Sequence, residues 1–457
     1  MIDLRQADVD AEARRQLDRL IALGIGVGHS VGWLGLNRLE ALGLLAACQH
    51  LGARFVPMNW RLSPAELADI ARHAGLQVLL HDEAFASLCD QVKVTVNLPQ
   101  PLAPGHEPGD CMVVYTSGTT GQPKGAIHTV ESMTANTLAA IEAQHLNADT
   151  RTLAVLPMFH VGGLCIQVLP TLAAGGCVRL HDRFDAQAWL HDVAHWRPTT
   201  SLLVPATMQA ILDHPQWNRT DLTSLKFINC GSSVVPRPLI DAFFERGVSV
   251  SQVYGSTETG PVSIIVPLDR THALRGKVGQ PARHVEVRLV GVNGQDVGRG
   301  EVGEIWLRAP NLMRGYHREP HHPSFQHGWF HSGDLAWQDS DGWFEVVGRS
   351  KDMIISGGEN IYPAEIENCF VGHPLVSECA VVGLPDRHWG EVVVLVVVPR
   401  SSGTIEERVL MAVLQHRLAR FKHPKRIVQR SSLPKTALGK VQKDVLRDQL
   451  LRDIQAS

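Results

Sequence analysis

Residues 111–126 read CMVVYTSGTTGQPKGA, an apolar run of strand character that breaks into glycine, serine and threonine and closes on Lys124 and Gly125. A strand that delivers its carboxyl end to such a segment is where an α/β sheet binds its ligands. Glycines let the backbone approach a ligand closely, and amide N–H groups with Ser and Thr hydroxyls suit phosphate oxygens. Lys124 adds fixed positive charge. The stretch is not a Walker A loop: counted from Gly118, Pro123 stands where G-x-x-x-x-G-K-[ST] requires its second glycine.

Working outward, short apolar runs alternate with helical patterns from about 108 to 260: TLAVLP, CVRL, SLLVP, LKFINC and VSVSQVY. Strands alternating with helices predict a parallel sheet, and the fold class is α/β. Two further runs pass into polar or Gly-rich segments, PMFHVGG at 157–163 and YGSTETG at 254–260. Residues 1–90 also read as mixed α/β, and 97–109 as a connector. After about 280 the pattern changes to alternating strands with tight turns (HVEVRLVGVNGQ, GEIWLR, GWFEVVG), which predicts a small β-rich subdomain. A final α+β unit runs from about 352, with strands at ECAVVGLP and EVVVLVVVP, a helix near Glu406 to Arg420 and a last helix after Gly439.

The chain has 457 residues, more than one hydrophobic core usually serves, so at least two domains are expected. Its 43 Lys and Arg against 46 Asp and Glu, with signs interspersed, exclude the broad basic footprint of a general nucleic-acid binder. Small molecules are the expected partners. No stretch approaches the roughly 20 apolar residues that span a bilayer, and the opening MIDLRQADVDAEARRQLDRL lacks the basic-then-apolar plan of a signal peptide. A cytoplasmic protein without a membrane span is expected. Eight scattered cysteines with no C-x-x-C read as free thiols. From Arg417 onward 11 Lys and Arg face 3 Asp and Glu; this basic tail is either a solvated face or a surface for a polyanion such as a nucleotide or coenzyme A.

The string YTSGTTGQPKGA resembles the phosphate-loop signature of the adenylate-forming superfamily: acyl- and aryl-CoA synthetases, peptide-synthetase adenylation domains and luciferases. PMFHVGG, YGSTE (254–258), HSGD (331–334), GRSKDMIISGGENIYPAEIE (348–367) and PKTALGK (434–440) resemble further signatures of that family in the same order, across almost the whole chain. The resemblance implies a large N-terminal domain of parallel α/β sheets with a small β-rich subdomain (1–348), a hinge at 349–351 centred on Lys351, and a mobile α+β lid (352–457). It implies ATP, Mg²⁺ and coenzyme A: a carboxylate attacks the α-phosphate of MgATP, and a thiol then displaces AMP from the acyl-adenylate. The expected activity is an ATP-dependent carboxylate–CoA ligase. A stand-alone adenylation enzyme that loads a carrier-protein phosphopantetheine is the alternative.

By the same resemblance, Thr116, Ser117, Gly118, Thr119, Thr120 and Lys124 hold ATP phosphates. Gly231, Ser232, Tyr254, Gly255 and Ser256 belong to the ATP- and AMP-binding set, with the Tyr254 ring against the adenine. Thr257 donates to the α-phosphate and Glu258 helps hold Mg²⁺. Asp334 accepts the ribose hydroxyls, and Arg349 faces ribose or phosphate. Lys440 neutralises the charge that develops in the first half-reaction. Gly357, Gly358 and Glu359 form the coenzyme A channel. His160 flanks the carboxylate, with Val161, Gly162, Met208, Gly260, Pro261 and Val262 around the acyl group. These are small or apolar, so a neutral aliphatic or aryl acid is expected rather than a dicarboxylate or an amino acid.

Two patterns are set aside. His191 and His195 stand four apart on a predicted helix, but Asp192 replaces the Glu of H-E-x-x-H; Gly24, Gly26 and Gly28 read as a turn, because His29 occupies the last glycine position of G-x-G-x-x-G. Only about 20 residues precede LIALGIGVGHSVGWLGLNR, fewer than family members usually carry, so an unpaired sheet edge and pairing of two copies through it, a homodimer, are further expectations.

Overall fold

The computed structural model describes residues 2–92, 106–116, 124–231, 235–319, 321–357, 359–415, 417–436 and 439–455. Its chain divides into two compact units, one of residues 1–232, 242–287 and 307–331, the other of 233–241, 288–306 and 332–457. The predicted connector falls largely outside the described residues, as do Ser117, Gly118, Thr119, Thr120, Ser232 and Gly358.

The first unit holds two large sheets. One runs Ile2–Leu4, Cys177–Leu180, Arg151–Ala154, Thr200–Leu203, Phe227–Cys230, Ser249–Tyr254, Ile264–Ile265, Gln280–Pro281. Its five central strands are parallel, as the alternation of apolar runs with helices predicts. The other runs Gly315–Tyr316, Lys124–Thr129, Asp110–Thr116, Arg54–Met58, Ser30–Leu34, Leu76–His81. Here the sequence reading needs a correction, since the strand of CMVVYT belongs to this second sheet and not to that of TLAVLP and its successors. A run of apolar residues states that a strand is buried, not which neighbour it pairs with; Met112 aligns with Phe55, and the helix Val130–Gln144 carries the chain from one sheet to the other. Helices Gln6–Ala22 and Leu39–Leu51 lie in the core with Val31, Phe55 and Met112 of one sheet and Ala154, Val178 and Leu180 of the other.

The expected unpaired edge is not seen at Cys177–Leu180. Ile2–Leu4 pairs antiparallel with Cys177–Leu180. Asp3 fixes it there, accepting two hydrogen bonds from Arg179 at 2.6 and 3.1 Å and one from Trp196 Nε1 at 2.9 Å. Arg179 also reaches Asp192, which is buried and accepts from His181 Nε2 at 2.8 Å. The acid of the set-aside His191-Asp192 pair therefore serves this network, while His191 and His195 stack ring on ring at 4.3 Å on an ordinary helix.

In the second unit, Val376–Asp386 and Gly390–Pro399 form a long antiparallel hairpin, flanked by Ile354–Ser356 with Glu359–Ile361 and by the parallel strand Arg426–Gln429. From Val392 to Val398 the strand Gly390–Pro399 is apolar throughout because both faces are covered. Val393, Leu395 and Val397 pack with Ile366, Phe370, Leu410 and Leu414; Val392, Val394, Val396 and Val398 pack with Leu446 and Leu450 of the last helix, Lys443–Gln455. The basic tail resolves into ion pairs within this unit: Lys422 with Glu365, Lys435 with Glu378, Lys443 with Glu367, and Arg447 with Glu391. Neither expected reading of the tail, a free solvated face or a surface reserved for a polyanion, describes these four. The disagreement arises because composition counts charges along the chain and not their partners across the fold. All eight cysteines are free.

Candidate functional site

In the first unit the strands on either side of the predicted phosphate loop form an antiparallel pair, with Thr116 opposite Lys124 and Tyr115 opposite Gly125. Lys124 Nζ lies 2.7 Å from His322 Nε2 and 3.9 Å from Glu319, and 5.3 Å above the centre of the Tyr316 ring. Tyr316 donates its hydroxyl to Glu258 Oε1 at 2.9 Å, and the Glu258 carbonyl accepts from Met313 N at 2.8 Å. The structure thus brings together Lys124 and Glu258, two predicted residues 134 positions apart in sequence, through a third that the sequence reading did not select. Burial chiefly, then the Lys124 ammonium, lowers the His322 pKa, which keeps that imidazole neutral beside the lysine. Among the described residues, a cluster of one cation and two carboxylates with a buried tyrosine is suited to phosphates and a hard cation together.

Tyr254 ends the strand Ser249–Tyr254, and the chain turns at once. Gly255 permits that turn: a Cβ there would stand 2.5 Å from Pro261 O. Gly231 meets Val253 O equally closely at the end of the neighbouring strand. Ser256 N donates to Thr259 Oγ1 at 2.8 Å, so the YGSTE turn is closed on itself and presents Thr257 and Glu258 half-exposed.

His160 caps the N-terminal side of the helix Val161–Cys165. Its Nε2 is buried and has no hydrogen-bond partner among the described residues. Burial, assisted by the positive charge of Arg61, pulls its pKa down to about 4, so it is an uncharged imidazole at neutral pH. Phe159 packs against it at 4.5 Å, and the Arg61 guanidinium lies 4.8 Å over Trp60 and 5.8 Å over Phe159. Arg61 lies about a hundred residues upstream of His160, outside every motif segment. Of the proposed acyl-pocket residues, Val161, Met208 and Val262 are buried, a Cβ on Gly162 would touch Ile166 Cδ1 at 3.9 Å, and Gly260, at φ +63°, packs on Asn311 while Pro261 beside it is buried. A cavity of about 450 Å³ lies elsewhere, between Asp3, Arg5, Arg151 and Trp196, and none of the predicted site residues lines it.

The second unit gathers its own set. Asp334 and Arg349 face each other across a ladder, with Arg349 Nε donating to Asp334 Oδ1 at 2.9 Å. Lys440 lies in their field: although the residue as a whole is exposed, desolvation of its ammonium first and then the Arg349 charge lower its pKa, while Asp334 and Asp352 oppose that shift. Within PKTALGK, Thr436 N donates to Lys440 O at 2.7 Å and Gly439 has a left-handed conformation. Lys351 is tied by its ammonium to Asp444 of the last helix at 2.6 Å. Ile354–Ser356 and Glu359–Ile361 form a hairpin whose turn includes Gly357, at φ +61°, where a Cβ would stand 2.8 Å from the Trp389 ring. Glu359 is exposed.

Sequence reasoning passed over Tyr316, His322, Arg61 and Trp389. Tyr316 and His322 lie in GYHREPHH, where no local spacing signals contact with Lys124 or Glu258.

Comparison with known proteins identifies the family of the chain. Residues 6–317 match the family of AMP-binding enzymes, and residues 365–440 match the AMP-binding enzyme C-terminal domain. The chain is 40% identical to an indoleacetate–CoA ligase of Aromatoleum aromaticum, over 98% of this chain and 94% of that one. It is 41% identical to a feruloyl-CoA synthase of an Amycolatopsis species, over 97% and 93%. Its fold superposes on the crystal structure of an anthranilate CoA ligase in complex with anthranoyl-AMP with a TM-score of 0.87, at 28% identity, over 96% and 91% of the two chains. This chain belongs to the family of AMP-binding enzymes.

Proposed function

We propose that the protein is an AMP-forming acid–CoA ligase whose acid is aromatic. The observation that carries the reading is the gathering of Lys124 and Glu258 around Tyr316 at the stem of the phosphate loop, in a chain similar over nearly its whole length to ligases of indoleacetate and ferulate. In the first half-reaction a carboxylate oxygen attacks the α-phosphorus of ATP, the bond to the bridging oxygen breaks, and pyrophosphate leaves. Lys124 holds outer phosphates, and Lys440 offsets negative charge on the acid and α-phosphate as they meet. In the second, a thiolate adds to the acyl carbon and AMP departs with the bonding pair.

Glu258 fits a bound Mg²⁺. One of its oxygens is engaged by Tyr316, and among the described residues no group of three His, Cys, Asp or Glu could form a metal cage. That suits an ion held by one or two carboxylates and otherwise by phosphate oxygens and water. When bound, Mg²⁺ would offset charge on the leaving pyrophosphate. The uncharged His160 lets the acid site take an aromatic body against Phe159 and the buried Val161. Asp334 accepts the ribose hydroxyls, and Lys351 is the hinge about which residues 352–457 exchange Lys440 for the Gly357 turn. No helix among the described residues is long and apolar enough to cross a membrane; residence in the cytoplasm and pairing of two copies belong to this reading as well.

The test is pyrophosphate release from ATP with indoleacetate, ferulate, benzoate, a medium-chain fatty acid and a dicarboxylate, each with and without coenzyme A. Release confined to aryl acids, with thioester formed when coenzyme A is present, is expected. Equal release with the fatty acid would remove the aryl assignment, and transfer to a carrier phosphopantetheine but not to coenzyme A would replace the ligase by a loading enzyme.

A further inference from the structure

The stem of the phosphate loop is held from outside by a chain of hydrogen bonds that the family reading does not assign. Tyr115, two residues before the loop's Ser117, lies opposite Gly125, and a Cβ on Gly125 would stand 3.0 Å from the Tyr115 ring. Glycine there lets the ring lie flat across the partner strand. The Tyr115 hydroxyl meets His73 Nδ1 at 2.8 Å, with the rings edge to face, and His73 sits in the last turn of the helix Pro64–Ala74. The His73 carbonyl in turn accepts from His317 Nε2 at 3.0 Å, and the His317 backbone N–H donates to Gly125 O at 2.7 Å.

These bonds close a ring, Tyr115 to His73 to His317 to Gly125 and back across the hairpin. The tautomers agree around it. With Nε2–H of His317 donating, its Nδ1 is the acceptor that faces Arg54 Nη1 at 3.4 Å, and Arg54 is wholly buried. Burial first, then the Arg54 charge, holds His317 neutral. Both strands of the hairpin are thus fastened one residue short of Thr116 and Lys124, the pair at the mouth of the loop.

We propose that Tyr115, His73 and His317 are positioning residues that hold Thr116 and Lys124 for the outer phosphates of ATP. The inference rests on the reading of the protein as an ATP-dependent ligase and deepens it. A group held in place before its ligand arrives loses less freedom on binding, so loosening the ring should weaken affinity for the triphosphate and spare the monophosphate, whose phosphate has no outer neighbours.

The test measures dissociation constants of ATP and AMP by calorimetry on the full chain, without any acid, for the wild type, Tyr115→Phe, His73→Ala and the double variant. Each single variant is expected to weaken ATP about fivefold, the loss of one partly buried hydrogen bond, with AMP changed less than about twofold. The double variant should be no weaker than the singles, because both remove one bond. His73→Gln, which restores an acceptor, should recover part of the loss. An unchanged ATP affinity in Tyr115→Phe, equal loss for ATP and AMP, or additive effects in the double variant would each overturn the proposal, and His73→Ala gives the same reading if Tyr115→Phe does not fold. A wild type that binds neither nucleotide would overturn the ligase reading and this inference with it.

Discussion

Tyr316 donates its hydroxyl to Glu258 Oε1 across 2.9 Å, while its ring face lies below the Lys124 ammonium. One side chain thus orients the carboxylate proposed for Mg²⁺ and backs the cation proposed for phosphate. The arrangement needs both the phenol and the ring.

Tyr316→Phe should therefore separate the two roles. The ring remains and the Glu258 hydrogen bond is lost, so the Mg²⁺ concentration for half-maximal pyrophosphate release should rise about three- to tenfold. A Mg²⁺ titration that superposes on the wild type would show that Glu258 needs no such support.

Lys440→Ala should cut acid-dependent pyrophosphate release by about a hundredfold or more, the scale of losing one electrostatic contact to a transition state. Thioester formation from supplied acyl-adenylate and coenzyme A should persist. Comparable loss of both half-reactions would remove the assigned role.

Gly357→Ala places a side chain at φ +61° and 2.8 Å from Trp389. The backbone conformation alone costs about 1–2 kcal/mol, so the melting temperature should fall. Thioester formation should fall further than adenylate formation; equal slowing of the two would separate the Gly357 turn from coenzyme A.

His128, His160 and His317 have pKa values lowered to about 4, 4 and 3, in each case chiefly by burial. In an unfolded chain a histidine titrates near about 6.5. Between those values the unfolded state carries protons that the folded state refuses, so stability is fully present above about pH 6.5 and is lost as pH falls toward 4. Each histidine contributes at most about 1.4 kcal/mol per pH unit in that window. Urea midpoints that stay level from pH 7 to 5 would contradict it. His317→Asn should flatten the curve if it folds.

The sequence made the strands legible because their signals are local. CVRL, LKFINC and VSVSQVY are apolar runs with turn residues beside them, and each became a strand. Sheet membership was not legible, since Met112 finds Phe55 only through packing. Lys124 and Glu258 stand out by residue type within distinctive strings. Tyr316 and His322 do not, because a tyrosine or a histidine gains its meaning here from a neighbour nearly 200 residues away in the case of Lys124 and His322. The basic tail misled for a related reason: its partners Glu365, Glu367, Glu378 and Glu391 precede it in the chain.

The strand Gly390–Pro399 is covered on one face by Leu446 and Leu450 of the last helix. A nonsense change that removed only the final fifteen codons would leave every signature motif intact. It would also bare Val392, Val394, Val396 and Val398 as a contiguous apolar strip, the kind of surface that drives chains together. Such an allele would be lost through aggregation and proteolysis, and its phenotype would be absence of the protein rather than an altered enzyme.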